Sequence, residues 1–250
     1  MSNSFTKEFS ISSFDLNPKG QARLTTMANF FQEMAYHHAS QLGFGYDDMK
    51  EKQTFWVLSR MRIRIDQYPV WDETVRVETW HRGMDRIFGL RDFRVENSSG
   101  DLIGKASTAW LILDVRTRRP IRTVDGVLQH SKGDESVFKK GLDKIELPEE
   151  MKMIGSHKVL FSDLDIIRHV NNVKYMEWCI DAAITEDRAD REIRELEINF
   201  THEALFGDKI EIKGELNPNA DSFFAAHRRG ELSGTKGNEK EIFRARLAWK

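Results

Sequence analysis

The sequence has little cysteine, little proline and no excess of either charge. Its 250 residues include one cysteine, Cys179, and five prolines. A single cysteine excludes an internal disulfide and any zinc site built on several thiolates. The 38 basic and 40 acidic side chains give a formal net charge of −2, which argues against bulk attraction to nucleic acid or to a membrane surface.

Long apolar runs are also missing. No run approaches the roughly 20 residues that a membrane-spanning helix needs, so we expect no membrane insertion. The first ten residues, MSNSFTKEFS, lack the apolar stretch of a secretory signal, and we therefore expect a cytoplasmic protein of a reducing compartment. Apolar residues still make up 40% of the chain, which is enough for a folded core.

One charged stretch, residues 131–153, separates two periodic regions. It contains Gly133, Gly141 and Pro148 and shows neither the helical nor the strand period. The sequence therefore predicts two domains. The predicted boundaries are an N-terminal domain over residues 1–135, a linker over 136–153 and a C-terminal domain over 154–250.

Both halves are predicted to contain one long helix followed by antiparallel strands. In the first half, helical spacing of apolar residues predicts a helix over Leu24–Gln41, and alternation predicts strands with a hairpin turn. These strands cover 61–65, 75–77, Phe88–Glu96 and 102–115, with the turn at 97–100. The second half repeats the order, with a helix from about residue 171 and strands over 196–200, 210–212 and 241–249.

Short motifs recur between the halves at nearly constant spacing, which is typical of an internal duplication. The pairs are MRIRI (61–65) with LEINF 135 residues later, KASTAW (105–110) with RARLAW 139 residues later, and DLN (15–17) with DLD 148 residues later. These spacings differ by amounts that short insertions in the loops would explain. We interpret the chain as two divergent copies of one unit.

The two copies differ in their titratable side chains. The second copy carries Asp165, His169 and Glu203 at positions where the first carries Asn17, Gln21 and Tyr68. This asymmetry predicts that one copy keeps a chemical site, while the corresponding residues of the other copy serve only in packing.

These three residue types suit acid–base chemistry. A carboxylate at Asp165 can accept a hydrogen bond from the ring of His169 and so fix its tautomer. The helix that follows offers free backbone N–H groups to a developing oxyanion, and Asn171 and Asn172 either cap it or donate to a carbonyl. Glu203 serves as a general base for water or as a nucleophile.

Structural roles compete with each of these assignments. Asp165 alone is a common helix cap or turn former, an isolated His169 is commonly structural, and Glu203 is compatible with a solvated strand end. Cys179 lies within an apolar helical run and is predicted to be buried. His37 and His38 are adjacent on a helix and cannot face one ligand, so no metal site is predicted.

The segment DLDIIRHVNNVKYMEW (163–178) resembles the signature of the acyl-acyl carrier protein thioesterases of plant plastids and bacteria. Further similar segments are FWVLSRM (55–61), YPVW (68–71), VETW (77–80), RDF (91–93), ASTAW (106–110) and TRRP (117–120). The resemblance extends from about residue 16 to residue 249. It implies an α+β fold of two tandem hotdog domains, each a long helix wrapped by an antiparallel sheet.

The resemblance also implies an activity. Members of the family hydrolyse fatty acyl-acyl carrier protein to free fatty acid and so end fatty acid synthesis, without a cofactor. By position, the family's Asp, His and Glu fall on Asp165, His169 and Glu203. Ile167 stands where the family usually has Asn, and Ala204 stands where a member can carry Cys. The helix N–H groups or Asn171 would then hold the substrate carbonyl.

The implied partner, acyl carrier protein, is acidic, so we expect a locally basic docking surface. The densest basic run contains Arg116, Arg118, Arg119 and Arg122, and a second candidate is the strand with Arg60, Arg62 and Arg64. The acyl chain is expected to lie against the first-half helix, near Met27, Phe30, Phe31 and Met34.

Two alternative functions remain open at this point. One is an acyl-coenzyme A thioesterase of the hotdog superfamily that uses Asp165 as base or nucleophile. The other is a non-catalytic acyl-binding hotdog protein, for which Ile167 is the main support. A homodimer is compatible with each of these functions.

Overall fold

The chain forms two compact units, Met1–Leu142 and Asp143–Lys250. The computed structural model describes residues 4–121, 136–217, 220–229 and 239–250. Within those ranges, none of the helices has both the length and the apolar character that a membrane span requires. The division between the units falls inside the predicted linker over residues 136–153.

The first unit is an antiparallel sheet with one long helix. The helices are α1 (Leu24–Gln41) and the short α2 (Tyr46–Glu51), and the strands are β1 (Ser4–Ser10), β2 (Thr54–Ile65), β3 (Thr74–Asp85), β4 (Phe88–Glu96), β5 (Leu102–Asp114) and β6 (Pro120–Ile121). The strand order is β1-β3-β4-β5-β2, and β6 pairs with β5.

The second unit repeats this architecture. It consists of helix α3 (Asn172–Ala183) and strands β7 (Lys152–Lys158), β8 (Ile193–Phe200), β9 (Lys209–Glu215), β10 (Ser222–Arg229) and β11 (Lys240–Trp249). The strand order is β7-β9-β10-β11-β8, so every strand occupies the position of its counterpart in the first unit. The duplication predicted from motif spacing is therefore confirmed in the topology.

Helix α1 is held by packing on its sheet. Met27, Phe31 and Met34 follow one another at helical spacing and are almost completely buried. The ring of Phe31 lies 4.9 Å from that of Phe93 on β4. Each such burial contributes about 1.5–3 kcal/mol, which exceeds what helix propensity supplies per residue. The helix ends where Gly43 adopts a left-handed φ of 77°.

Helix α3 buries its apolar face in the same way. Its buried residues include Met176, Trp178 and Cys179. Burial raises the pKa of the Cys179 thiol, so this cysteine is a core residue, as predicted, and is unsuited to act as a thiolate nucleophile.

Strands β1, β6, β7 and β10 and helix α2 were not predicted. Strands β1 and β7 lie at the end of their unit's strand order, β1 beside β3 and β7 beside β9. Edge strands are partly solvated, so their sequences, SFTKEFS and KMIGSHK, lack the continuous alternation on which the prediction depended. Helix α2 has six residues, too few to show a helical period.

Candidate functional site

The loop over residues 160–171, which precedes α3, is closed by the carboxylate of Asp165. Its Oδ1 accepts hydrogen bonds from the backbone N–H groups of Ile167, at 3.0 Å, and His169, at 3.1 Å. The backbone N–H of Asp165 also donates to the carbonyl of His169 at 2.8 Å. Asp165 therefore fixes the conformation of the loop and the position of the His169 backbone.

The first unit contains the same loop with an amide in place of the carboxylate. There, Oδ1 of Asn17 accepts from the N–H groups of Lys19, at 2.9 Å, and Gln21, at 3.2 Å. The left-handed residue of the turn is Gly20 in the first copy and Arg168, with φ 65°, in the second. The loop geometry thus does not require a charged side chain at this position.

The imidazole of His169 contacts Glu203. Its Nδ1 lies 3.1 Å from Oε2 of Glu203, and the two side chains are 25% and 52% exposed, respectively. Glu203 lies in the loop that follows β8. A backbone hydrogen bond from the N–H of Val170 to the carbonyl of Ala204 connects this loop to the loop that carries His169. The pair is thus assembled from two loops and remains open to solvent.

The predicted contact between Asp165 and the His169 ring is wrong. Among the described contacts, the Asp165 carboxylate bonds the backbone N–H of His169, while the ring nitrogen faces Glu203. The physical reason is local. The N–H groups of Ile167 and His169 lie two and four residues after Asp165, and its carboxylate accepts hydrogen bonds from them directly, as in an Asx turn. The residue that orients the ring is Glu203.

Tyr175 of α3 supports the Glu203 loop, a role that sequence reasoning missed. Its hydroxyl oxygen accepts the N–H of Ala204 at 2.9 Å. Burial raises the pKa of Tyr175 to about 12, and Glu203 contributes to the same shift. The phenol therefore stays protonated at neutral pH. Comparing the copies would have drawn attention to this tyrosine, because the residue 148 positions earlier is Met27.

Asn171 is the N-cap of α3. Its Oδ1 accepts the N–H of Val173 at 2.9 Å, which satisfies one of the free donors of the helix. Asn172 is the first residue of the helix and is half-buried. The capping alternative for Asn171 is therefore the one observed.

Exposed apolar side chains surround the two loops of the site. Ile167 is 46% exposed, and its backbone N–H donates to the carboxylate of Asp165. The other exposed apolar residues of these loops are Leu160, Phe161, Ile166, Leu205 and Phe206. The side chain of Ile167 has no polar atom, so it cannot position a carbonyl or a water molecule.

Three of the four predicted acyl-binding residues form the buried face of α1: Met27, Phe31 and Met34. The fourth, Phe30, stacks on Phe9 of β1 with ring centroids 4.2 Å apart. Phe30 therefore packs on β1 instead of lying with the other three.

The predicted docking arginines lie on the turn between β5 and β6. Arg116, Arg118 and Arg119 are exposed, while Arg122 lies outside the described residues. The guanidinium of Arg118 lies over the ring of Phe55 at 5.2 Å. Thr117 donates twice to the carboxylate of Asp114, which orders the turn and lowers the pKa of that carboxyl.

The strand arginines are engaged within the first unit. Arg60 and Arg62 lie over the rings of Phe88 and Phe138, at 4.8 and 4.2 Å. The Nε of Arg64 donates to an aspartate two residues later. Each of these side chains therefore contacts another group of its own unit, and docking on this strand stays a prediction.

The adjacent histidines of α1 face different partners. Nε2 of His37 lies 2.7 Å from a carboxylate oxygen of Glu33, whereas Nδ1 of His38 faces the buried guanidinium of Arg91 at 2.8 Å. Burial lowers the pKa of Arg91 to about 9. The two imidazoles thus diverge, as adjacent helical positions require.

The role of Asp165 as a loop clamp can be tested with two variants. We expect Asp165→Ala to lower the free energy of unfolding by about 1–2 kcal/mol, because two backbone N–H groups lose their acceptor. Asp165→Asn should stay within about 0.5 kcal/mol of the wild type, because Asn17 forms the same bonds in the first copy. Chemical denaturation measures both, and equal destabilisation of the two variants would contradict the clamp.

Two family models match this chain. The acyl-ACP thioesterase N-terminal domain matches residues 2–130, and the acyl-ACP thioesterase C-terminal domain matches residues 146–250. The second match includes the loop with Asp165 and His169, as well as Glu203.

The curated relatives include two oleoyl-acyl carrier protein thioesterases from Arabidopsis thaliana. Oleoyl-acyl carrier protein thioesterase 2, chloroplastic, is 29% identical over 83% of this chain and 62% of its own length. Oleoyl-acyl carrier protein thioesterase 1, chloroplastic, is 28% identical over 99% of this chain and 76% of its own length. The chain thus spans less than two thirds of the first relative and about three quarters of the second.

The fold is also similar to a solved structure. An acyl-ACP thioesterase from Bacteroides thetaiotaomicron superposes on this chain with a TM-score of 0.84 and is 26% identical in sequence. The superposition covers 100% of both chains. This similarity supports the tandem hotdog fold predicted from the sequence.

Proposed function

This chain belongs to the acyl-acyl carrier protein thioesterase family, and we propose that it hydrolyses fatty acyl-acyl carrier protein to free fatty acid and holo-acyl carrier protein. The observation that carries the proposal is the contact of His169 Nδ1 with Glu203 at 3.1 Å. The pair lies in the copy that matches the C-terminal domain of the family, and the first copy has Gln21 and Tyr68 at these positions.

In the proposed mechanism, Glu203 removes a proton from water while its other oxygen holds the N–H of His169. The water oxygen attacks the thioester carbonyl carbon and produces a tetrahedral oxyanion. The C–S bond then breaks, and the proton passes through the Glu203–His169 pair to the leaving thiolate. A thioester is already an activated acyl group, so this acid–base pair is sufficient without a serine or cysteine nucleophile.

We assign the oxyanion to the start of α3. The first N–H groups of a helix point outward and carry a partial positive charge. The side-chain oxygen of Asn171 caps Val173, and the N–H of Asn171 itself donates to the carbonyl of Asp163, so the N–H of Asn172 is the donor in this proposal. Asp165 contributes by holding the loop that carries His169, and Ile167 contributes no polar group.

The acyl chain and the carrier protein are assigned to the first unit. Met27, Phe31 and Met34 on α1 are the proposed acyl-binding residues, since they form an apolar face without charge. The turn with Arg116, Arg118 and Arg119 is the proposed docking surface for the acidic carrier protein.

The docking proposal predicts a change in KM. Replacing Arg116 and Arg119 together by Gln should raise KM for acyl-acyl carrier protein about three- to tenfold and weaken its dependence on salt, because exposed charges steer association. Arg118 is left in place because it packs on Phe55.

Two controls accompany this measurement. Lys139→Gln with Lys144→Gln removes the same charge from exposed positions outside the turn and should leave KM unchanged. An acyl-pantetheine substrate, which lacks the carrier protein, should show no difference between the arginine variant and the wild type. An unchanged KM on acyl-acyl carrier protein would rule out docking at this turn.

The substrate class is tested by parallel assays. Carrier protein and coenzyme A thioesters of graded acyl length should both be scored for free acid. The proposal expects a higher kcat/KM on the carrier protein thioesters. A preference for coenzyme A thioesters would favour the alternative acyl-coenzyme A thioesterase, and saturable binding without free acid would favour an acyl-binding protein.

A further inference from the structure

His157 on β7 marks another difference between the two copies. The residue 148 positions earlier is Phe9, and the same spacing relates Trp178 to Phe30. Phe9 stacks on Phe30 with ring centroids 4.2 Å apart, and His157 stacks on Trp178 at 4.3 Å. The stacked pair is thus common to both units, and only the second unit places an imidazole in it.

The imidazole adds a polar contact that phenylalanine cannot make. Nε2 of His157 lies 2.9 Å from Oδ2 of Asp163. The same oxygen accepts the N–H of Leu160 at 2.7 Å, so it is an acceptor and Nε2 is the donor. The Asp163 side chain is only 7% exposed, and a hydrogen bond shielded from water in this way is stronger than one on the surface.

Asp163 closes both ends of the loop that carries His169. Its carboxylate accepts the N–H of Leu160, where the loop begins, and its backbone carbonyl accepts the N–H of Asn171 at 2.9 Å, where the loop ends. His157 therefore holds the residue to which both ends of the loop are tied.

The first unit shows that closure alone does not need a histidine. There, Asp15 accepts the N–H of Ser12 through its carboxylate and the N–H of Arg23 through its carbonyl, each at 2.9 Å. Its additional contact comes from the hydroxyl of Thr26 on α1, which donates to the carbonyl at 3.1 Å. Only the copy with the His169–Glu203 pair ties its closing aspartate to the sheet through an imidazole.

We propose that His157 is a positioning residue for hydrolysis. Its hydrogen bond to Asp163 restrains the loop over residues 160–171 and thereby the direction in which His169 meets Glu203. This inference rests on the proposed function for its kinetic consequence, but the restraint itself is a property of the loop. His157 does not contact the substrate, and its effect passes through Asp163.

Two substitutions separate the hydrogen bond from the ring stack. His157→Phe keeps a ring against Trp178, as in the first copy, but removes the donor. His157→Gln keeps an N–H donor near the position of Nε2 but removes the ring. We expect His157→Phe to lower kcat on acyl-acyl carrier protein about ten- to 100-fold with KM changed less than about twofold, because the reacting groups are misplaced and binding is not. We expect His157→Gln to retain kcat within about threefold.

A purely structural role predicts the reverse order. If the stack alone matters, His157→Phe will match the wild type and His157→Gln will be impaired, and the proposal is then wrong. Thermal unfolding of both variants shows whether either has lost its fold.

A second measurement does not depend on activity. Hydrogen exchange of the backbone N–H of His169 should be at least about tenfold faster in His157→Phe than in the wild type and unchanged in His157→Gln. Unchanged exchange in His157→Phe would overturn the positioning role even in an active enzyme. Absence of hydrolysis by the wild type would instead overturn the proposed function, whichever exchange result is found.

Discussion

Replacing Glu203 by glutamine is expected to reduce kcat on acyl-acyl carrier protein at least about 100-fold, with little change in KM. Glutamine has nearly the same shape and still accepts the N–H of His169 through its amide oxygen, but it cannot take a proton from water. A factor of 100 corresponds to about 2.7 kcal/mol of transition-state stabilisation, which is within the range of general base catalysis.

Steady-state kinetics on a single acyl-acyl carrier protein measure this effect. Glu241→Gln, a change of the same type at a glutamate paired with Arg244, serves as the control and should leave kcat unchanged. A Glu203→Gln variant with wild-type kcat would show that the carboxylate is not the base. Far-ultraviolet circular dichroism should match the wild type, because Glu203 is half exposed.

Replacing His169 by glutamine is expected to have an effect of similar size. Glutamine is the residue that the first copy carries at this position, where its N–H is held by Asn17 in the same turn. The loop should therefore survive the substitution, while the proton carrier is lost. We expect kcat to fall about 100- to 1000-fold with thermal stability within a few degrees of the wild type.

The same variant tests the order of roles in the site. If Asp165 were the base and the His169–Glu203 contact had no catalytic role, Asp165→Asn would lose as much activity as His169→Gln, although the loop of the Asp165→Asn variant is intact. The mechanism proposed here expects Asp165→Asn to retain more kcat than His169→Gln. The opposite order would move the base to Asp165.

The sequence was sufficient for the duplication and for the main elements. The predicted helix over Leu24–Gln41 has the observed bounds, and so has the strand over Phe88–Glu96. These elements are buried on one face, so hydrophobic periodicity reports them directly. The edge strands β1 and β7 carry no such signal, because much of their surface is solvated.

The candidate site was predicted in composition but not in its contacts. The comparison of the two copies identified Asp165, His169 and Glu203 as candidate site residues. The spacing of Asp165 and His169 suggested a contact between their side chains, but the carboxylate bonds the backbone N–H of His169 instead. A turn of this kind directs the carboxylate to backbone N–H groups, and only the three-dimensional approach of the β8 loop brings Glu203 to the ring. Roles for Tyr175 also depend on that approach.

The predicted cytoplasmic location and a homodimer remain predictions, as do the docking turn and the acyl-binding face of α1. Each depends on surfaces or partners beyond the two loops of the site.

Single-turnover release of free fatty acid from acyl-acyl carrier protein tests the catalytic role of the His169–Glu203 pair most directly. It compares the wild type, Glu203→Gln, His169→Gln and the double variant. We expect the wild type to release free acid, and we expect the double variant to be no more than about tenfold slower than the slower single variant, because the losses from residues that act as one unit are not additive. Full additivity of the two losses, or near-wild-type release by the double variant, would contradict the assignment of this pair as the catalytic centre.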